Sequence, residues 1–287
     1  MSDGHHDIIH YRDSGIPQPY HLVKPSVWPF IGAIFAGLMM GGMVLFMHHI
    51  SIGSVNLHWG WPLIGLAGVL CIMAIWWRDV IREATFEKAH SAVAKIGLRY
   101  GMALFIASEV MFFSAFFWAY YSNALFPSDL IGGIWPPAGI HTTPTFDMPF
   151  MMTLILLLSG TTVTWAHHAI QEGKQKEAVK ALACTVALGL SFTACQAFEY
   201  THADFGLKSG IFGSTFYMAT GFHGLHVMIG TIFLAVCLFR ANRGDFTAKS
   251  HFGLEAAAWY WHFVDVVWLF LFISVYWYGA SAIPAAG

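Results

Sequence analysis

The chain has 287 residues, of which 57% are hydrophobic and only 10% are charged, whereas charged residues make up roughly a quarter of soluble domains. This composition excludes an ordinary soluble protein, and a formal net charge of -2 provides no basis for nucleic-acid binding. The 28 glycines fall largely within apolar runs and suit close packing of membrane helices. The first partner that the sequence predicts is therefore the lipid bilayer.

The N-terminal tail, residues 1–26, is polar and contains His5, His6 and His10. It has neither the basic start nor the short apolar stretch of a cleaved signal peptide. We therefore expect the first helix itself to direct insertion into the membrane.

Seven apolar stretches reach the length of about 20 residues that a helix needs to cross a bilayer. These stretches are residues 27–47, 57–77, 100–121, 148–168, 180–199, 210–239 and 256–278. Tryptophan and tyrosine gather at their ends, as at Trp28, Trp77 and Tyr278, where amphipathic rings suit the headgroup level. The sequence thus predicts an all-α membrane protein with seven transmembrane helices.

The basic residues sort to one side of these spans. Of the 14 lysines and arginines, only Lys208 falls in a connection on the opposite side from the rest. Because lysine and arginine are enriched on the inner side of membranes, the N-terminus is predicted inside and the C-terminus outside.

The spans divide the chain into five predicted segments. They are the tail 1–26, helices one and two at 27–77, an inner-rim connection at 78–99, a bundle of helices three to seven at 100–279, and a C-terminal tail at 280–287. Connections are short except for the Pro- and Gly-rich outer loop 122–147, which we expect to be ordered by its own packing.

Two carboxylic acids lie deep within predicted spans. Glu109 interrupts "LFIASEVMFFSAFFWAYY" and lies about 15 Å beyond Arg99 at the helical rise per residue, and Asp265 is ten residues past Glu255. An ionised acid facing lipid is costly, so both are expected to face the bundle interior and to stay protonated or pair. Their candidate partners are His223 and His226 on the sixth span and His262 on the seventh.

These acids have two open interpretations, a proton-handling or lipid-sensing site and a neutral acid hydrogen-bonded across helices. Metal binding is the other possibility that 16 histidines raise, but only His223, His226 and His262 lie deep, and they make no closed ligand set. We predict no metal. The four cysteines are read as small buried hydrophobes, since no CxxC spacing is present.

The stretch "WWRDVIREATFEKAH" leaves the second span with basic and aromatic side chains interleaved. The side chains able to hold a phospholipid phosphate or line its acyl chain are Arg78, Arg82, His90, Arg240, Arg243 and Trp77. Ordinary positive-inside charge would explain the arginines, but not the interleaved tryptophan, Glu83 and Thr85. The pattern favours a defined headgroup site.

Six blocks of the sequence together resemble subunit III of cytochrome c oxidase. They are "WWRDVIREATFEKAH", "GLRYGMALFIASEVMFFSAFFWAYY", "WPPAGIH", "TWAHHAI", "GSTFYMATGFHGLHVMIGTIFL" and "HFGLEAAAWYWHFVDVVWLFLFISVYWYG", within about Tyr20 to Gly279. The resemblance implies a subunit without redox centres or cofactors other than bound phospholipids of the phosphatidylethanolamine or phosphatidylglycerol type. It also implies a V-shaped, lipid-filled cleft between helices one and two and helices three to seven.

By this resemblance, the chain packs directly against subunit I, which holds haem and copper, in a complex with subunit II and small subunits. It would support proton uptake into subunit I and protect that subunit from inactivation. The implied lipid-contacting positions are Trp77, Arg82, Glu83, Thr85, His90, Phe105, Arg240 and Arg243, with Glu109 as the buried third-helix acid. The implied location is a bacterial inner membrane, or the mitochondrial inner membrane for an organelle-encoded chain.

Two further hypotheses concern the tail histidines and the class of membrane protein. Because imidazoles titrate near neutral pH, His5, His6 and His10 are hypothesised to buffer protons for subunit I on its uptake side. The alternative to an oxidase subunit is a stand-alone proton or small-solute transporter that uses Glu109 and Asp265. Transporters usually show broken helices, often in repeated halves, and the sequence shows neither.

Overall fold

The structure, a computed structural model, describes residues 10–11, 17–18, 25–49, 59–87 and 90–279. Within these ranges, seven helices are long and apolar enough to cross a membrane. They are α1 (Trp28–Met47), α2 (Gly60–Thr85), α3 (Ala92–Leu125), α4 (Met148–Gln171), α5 (Gln175–His202), α6 (Gly210–Asn242) and α7 (Phe252–Leu271), which a π-helical segment (Phe272–Tyr278) continues. The predicted all-α class with seven spans is confirmed.

The remaining elements are short. In the polar tail, strand β1 (His10–Tyr11) pairs antiparallel with strand β2 (Pro17–Gln18). A single 3₁₀ turn (Asp129–Ile131) lies in the outer loop. The direction of the spans across the membrane and the cleft between helix groups stay predictions.

The helices are longer than the predicted spans. Helix α2 continues to Thr85 and α3 already begins at Ala92, so helix occupies both ends of the segment 78–99 that was predicted as a connection. Likewise α5 begins at Gln175 rather than at residue 180. The physical reason is that hydropathy reports where apolar residues stop, whereas Arg, Lys, Glu and Ala continue a helix readily beyond the hydrocarbon.

Helices α4 and α6 end in the same glycine motif. Gly173 and Gly244 have φ angles of 75° and 79°, the left-handed region that glycine adopts without a β-carbon clash. The backbone N–H groups of the following residues, Lys174 and Asp245, donate to the carbonyl five residues earlier, at 2.8 and 3.0 Å. This Schellman arrangement satisfies carbonyls at the helix ends and turns the chain sharply towards α5 and α7.

The chain forms two compact units, Met1–Gly97 and Leu98–Gly287. In the first unit α1 packs against α2, and glycines allow the close approach. A β-carbon at Gly65 would overlap the backbone of Met39, and one at Gly42 would lie 2.7 Å from the Trp61 side chain. These two glycines therefore set the distance between α1 and α2.

We expect Gly65→Leu to destabilise the α1–α2 pair by about 1–3 kcal/mol, since overpacking forces the two backbones apart. The matched control is Gly37→Leu on α1, where an added β-carbon meets nothing within 4 Å among the described residues. Unfolding of the purified chain by increasing SDS, followed by circular dichroism, measures the difference. Equal shifts for the two variants would contradict the assignment of Gly65 to the contact.

In the second unit α4 packs on α5, α5 on α6, and α7 on both α4 and α6. Trp261 and Trp268 of α7 are fully buried. Their indole N–H groups donate to Ser159 Oγ at 2.8 Å and to Thr153 Oγ1 at 2.9 Å on α4. Helix α7 is thus the central element against which the candidate site is built.

Candidate functional site

Glu109 lies midway along α3 and is paired with His226 of α6. The distance between Glu109 Oε2 and His226 Nε2 is 3.0 Å, and the two side chains are 20% and 10% exposed. Of the histidines predicted as partners for the deep acids, His226 is the one that the structure brings to Glu109. The pair joins α3 to α6 at the middle of both helices.

The hydrogen bonds of His226 constrain where the protons are. Its Nδ1 lies 2.7 Å from the Phe222 carbonyl oxygen, and because a carbonyl only accepts, Nδ1 carries a hydrogen. The bond between Nε2 and Glu109 Oε2 then needs one more proton, either on the carboxyl or on the imidazole. Both arrangements leave the pair with no net charge, which avoids the cost of an unpaired charge in the membrane.

Aromatic rings surround this pair. Phe113 packs edge-on to His226 with ring centroids 5.0 Å apart, and Phe112 packs edge-on to Phe222 at 5.2 Å. One helical turn before Glu109, Phe105 stacks near Tyr260 at 6.3 Å and is 47% exposed. The acid therefore lies in an apolar setting, beside a ring that is half-exposed.

His223 was predicted as an alternative partner for the deep acids, and the structure places it elsewhere. It is fully buried, its Nε2 lies 3.1 Å from the Val264 carbonyl, and its ring packs against Phe192 and Trp268. It lies only three positions before His226, but it occupies the core of the bundle. Its role there is in packing α6 against α7.

The predicted pairing of His262 with Asp265 is also absent from the described residues. His262 Nε2 instead lies 3.1 Å from Thr164 Oγ1 of α4. Asp265 is 8% exposed, and its Oδ1 is buried without a hydrogen-bond partner in the described part of the chain. The i, i+3 spacing placed the two side chains on one helix face, but α4 offers His262 a better-placed oxygen.

A further acid inside the bundle, Glu199, is not predicted from the sequence. It is 5% exposed, and its Oε2 accepts a hydrogen bond of 3.0 Å from the Tyr276 hydroxyl in the π-helical segment. Nearby, Gln196 Nε2 donates to the Thr220 carbonyl at 3.0 Å, and the Tyr200 hydroxyl donates to Thr220 Oγ1 at 2.8 Å. The sequence pattern that could have indicated this cluster is the i, i+3, i+4 spacing of Gln196, Glu199 and Tyr200 on α5.

The predicted lipid contacts are divided between the two units. The first set is Trp77, Arg82, Glu83 and Thr85 near the end of α2 and His90 just before α3; the second is Phe105, Glu109, Arg240 and Arg243. Trp77 is 60% exposed, and Arg82 Nε lies 3.6 Å from Glu87 Oε1. The first set thus presents an exposed indole beside a basic helix end.

The two arginines at the end of α6 differ in their surroundings. Arg240 lies 3.9 Å from Asp245 Oδ2 and over the Phe246 ring at 4.4 Å, with its side chain only 15% exposed. Arg243 is exposed and lies over the Phe239 ring at 5.5 Å. Arg243 is therefore the more accessible of the two to a headgroup.

Of the tail histidines, His5 and His6 lie outside the described residues, and His10 begins strand β1. Across the residues that the structure describes, no three His, Cys, Asp or Glu side chains converge in a way that could hold a metal ion. The candidate site of the second unit is the acid–imidazole pair of Glu109 and His226 among its aromatic rings.

Comparison with known proteins identifies the family. The family model of cytochrome c oxidase subunit III matches residues 18–280. Cytochrome c oxidase subunit 3 of Cyprinus carpio is 54% identical over 261 residues, covering 91% of this chain and 97% of the relative. The relatives from Dugong dugon and Sus scrofa are 53% and 52% identical with the same coverage. The chain belongs to the cytochrome c oxidase subunit III family and is a multi-pass membrane protein.

Proposed function

We propose that this chain is the accessory subunit III of a proton-pumping cytochrome c oxidase. It carries no redox centre, binds structural phospholipids, stabilises the haem- and copper-bearing subunit I and supports proton uptake into it. Its direct partner is subunit I, with subunit II and small subunits in the same complex. Family membership supports the assembly, and the Glu109–His226 pair, which joins α3 to α6 without a net charge, is the observation that carries the structural role.

The setting of the pair favours a structural role over a proton path. Phe112, Phe113 and Phe263 lie around His226, and no chain of hydrogen bonds within the described residues leads from Glu109 to Asp265. A proton wire needs a continuous series of donors and acceptors. The stand-alone transporter is therefore the weaker of the two candidate functions.

Side chains of both units have the chemistry that a bound phospholipid needs. An exposed Trp77 provides an apolar surface for an acyl chain, and Arg82 and His90 provide donors for a phosphate. On α3, the half-exposed Phe105 offers a second apolar surface close to Glu109. Phosphatidylethanolamine or phosphatidylglycerol is the proposed lipid class, since both combine a phosphate with a small polar headgroup.

The proposed location is an energy-transducing inner membrane, either of a bacterium or of a mitochondrion. On the uptake side of that membrane, His5, His6 and His10 would exchange protons near neutral pH. Replacing all three and finding unchanged oxidase turnover at alkaline pH would discard this buffering role.

The proposed function is tested by purifying the chain through a C-terminal affinity tag in mild detergent and recording its optical spectrum. We expect haem bands to arrive together with larger subunits, in a fixed ratio to the tagged chain. The control is the same purification from cells that carry the untagged chain. A colourless, solitary chain that transports protons or solutes in vesicles would instead support the transporter.

A further inference from the structure

A shallow groove lies between α4 and α7, apart from the Glu109–His226 pair. It has a volume of about 400 Å³ and is lined by Leu157, Gly160, Thr161, Thr164, His262 and Asp265. Gly160 lies at the middle of α4 and Asp265 at the middle of α7. The groove therefore opens at mid-membrane depth, where water is scarce.

The polar group in this groove is incompletely satisfied. Asp265 is 8% exposed, and its Oδ1 has no hydrogen-bond partner in the described ranges. Its Oδ2 lies beside Gly160, where a β-carbon would come within 2.8 Å. Buried polar atoms in native proteins nearly always have a hydrogen-bond partner, and a buried acceptor without one destabilises the fold. The missing partner is expected to come from outside this bundle.

The need for a hydrogen-bond donor limits which molecules could occupy the groove. A lipid acyl chain has no donor and would leave Asp265 unsatisfied. Helices α1 and α2 offer no strong donor near the middle of their spans: their indoles at Trp28 and Trp61 lie at the helix starts, and Cys71 donates only weakly. A hydrogen-bond donor at this depth must therefore be supplied by another transmembrane helix.

The shape of the groove suits such a helix. Gly160 and Thr164 are four residues apart on α4, the spacing of small residues that lets two membrane helices approach closely. Thr161 and Thr164 are exposed and add short hydroxyl-bearing side chains rather than bulk. A stripe of small residues beside an unpaired acid is a complementary surface for a helix with one polar residue.

We propose that the groove between α4 and α7 seats a transmembrane helix of another oxidase subunit, which presents a hydroxyl, amide or nitrogen donor to Asp265. This inference rests on the proposed function, because it requires an oxidase partner. It assigns Asp265 a role in subunit recognition rather than in proton transfer. The small residues Gly160, Thr161 and Thr164 would form the surface on which that helix packs.

The test places a benzophenone photoprobe at Thr161 of the intact oxidase in native membranes. The matched control is the same probe at Leu190, an exposed position on α5 outside the groove. We expect illumination to join the Thr161 position to another oxidase subunit, with a much lower yield of that adduct from Leu190. Adducts with lipid alone, adducts with α1 or α2 of the same chain, or equal yields from the two positions would overturn the proposal.

A second measurement addresses Asp265 directly. Asp265→Leu removes the acceptor, whereas Asp265→Asn keeps one. A membrane hydrogen bond is worth up to about 1–2 kcal/mol, so we expect the leucine variant to raise the dissociated fraction of this subunit about tenfold in increasing detergent, with a smaller change for asparagine. Equal retention of wild type and Asp265→Leu would contradict the role of Asp265.

The two proposals fail in distinguishable ways. If haem-bearing subunits co-purify with the chain but Thr161 gives only lipid adducts, the groove inference alone is wrong. If no haem-bearing subunit co-purifies at all, the proposed function itself is wrong. Because the Thr161 probe leaves Asp265 intact, the test does not depend on the folding of the Asp265 variants.

Discussion

Replacing Trp261 with alanine is expected to lower the free energy of unfolding of the second unit by about 3–5 kcal/mol, the usual cost of truncating a buried tryptophan. Trp261 is fully buried, and its indole N–H donates to Ser159 Oγ at 2.8 Å. Its ring also fills the space left by Gly189 and Gly230, where added β-carbons would lie 2.8 and 2.9 Å from it. The substitution would leave a cavity where α4, α5, α6 and α7 meet.

The measurement is SDS-driven unfolding of the purified chain, followed by circular dichroism. Trp118→Ala on α3 is the matched control, because Trp118 is 79% exposed and its truncation leaves no cavity. The loss of unfolding free energy for Trp261→Phe should lie between those of the two alanine variants. Phenylalanine keeps most of the ring volume but leaves Ser159 without its hydrogen-bond donor. Similar losses for Trp261→Ala and Trp118→Ala would refute the central position of Trp261.

The second large effect is expected at the pair between α3 and α6. Glu109→Leu and His226→Leu should each lower the free energy of unfolding by about 1–3 kcal/mol, because each leaves a largely buried polar partner unsatisfied. The double variant should cost less than the sum of the two, with a coupling of about 0.5–3 kcal/mol for groups in direct contact. Additive losses would mean that the two side chains do not interact.

The variant Glu109→Gln distinguishes the loss of the acidic proton from the loss of the hydrogen bond to His226. The amide preserves the size of the side chain and can still donate to His226 Nε2, so stability should change less than with leucine. The infrared spectrum should lose a carboxylic-acid carbonyl band in this variant if the shared proton resides on Glu109. Wild-type values for phospholipid retention, helix packing and proton pumping together would show that Glu109 has no role in any of them.

Much of the site could be anticipated from residue type and depth alone. Glu109 was recognisable as a site residue because a lone acid within eighteen largely apolar residues must be neutral or paired in a membrane. The basic end of α2 was recognisable because tryptophans and arginines follow one another there, from Trp76 to Arg82. Glu199 was not recognisable as a site residue from the sequence. An acid at the end of a span resembles an ordinary residue of the membrane surface, and only the folded structure places Tyr276 beside it.

The sequence by itself determined the number of spans, because each crossing needs about 20 apolar residues, and it predicted the family through motifs distributed along nearly the whole chain. Only the tertiary structure decided which histidine meets which acid. His223 and His226 have similar local sequence and depth, yet one lies in the bundle core and the other meets α3. That choice depends on contacts between residues more than a hundred positions apart, such as Glu109 and His226, which helical periodicity does not encode.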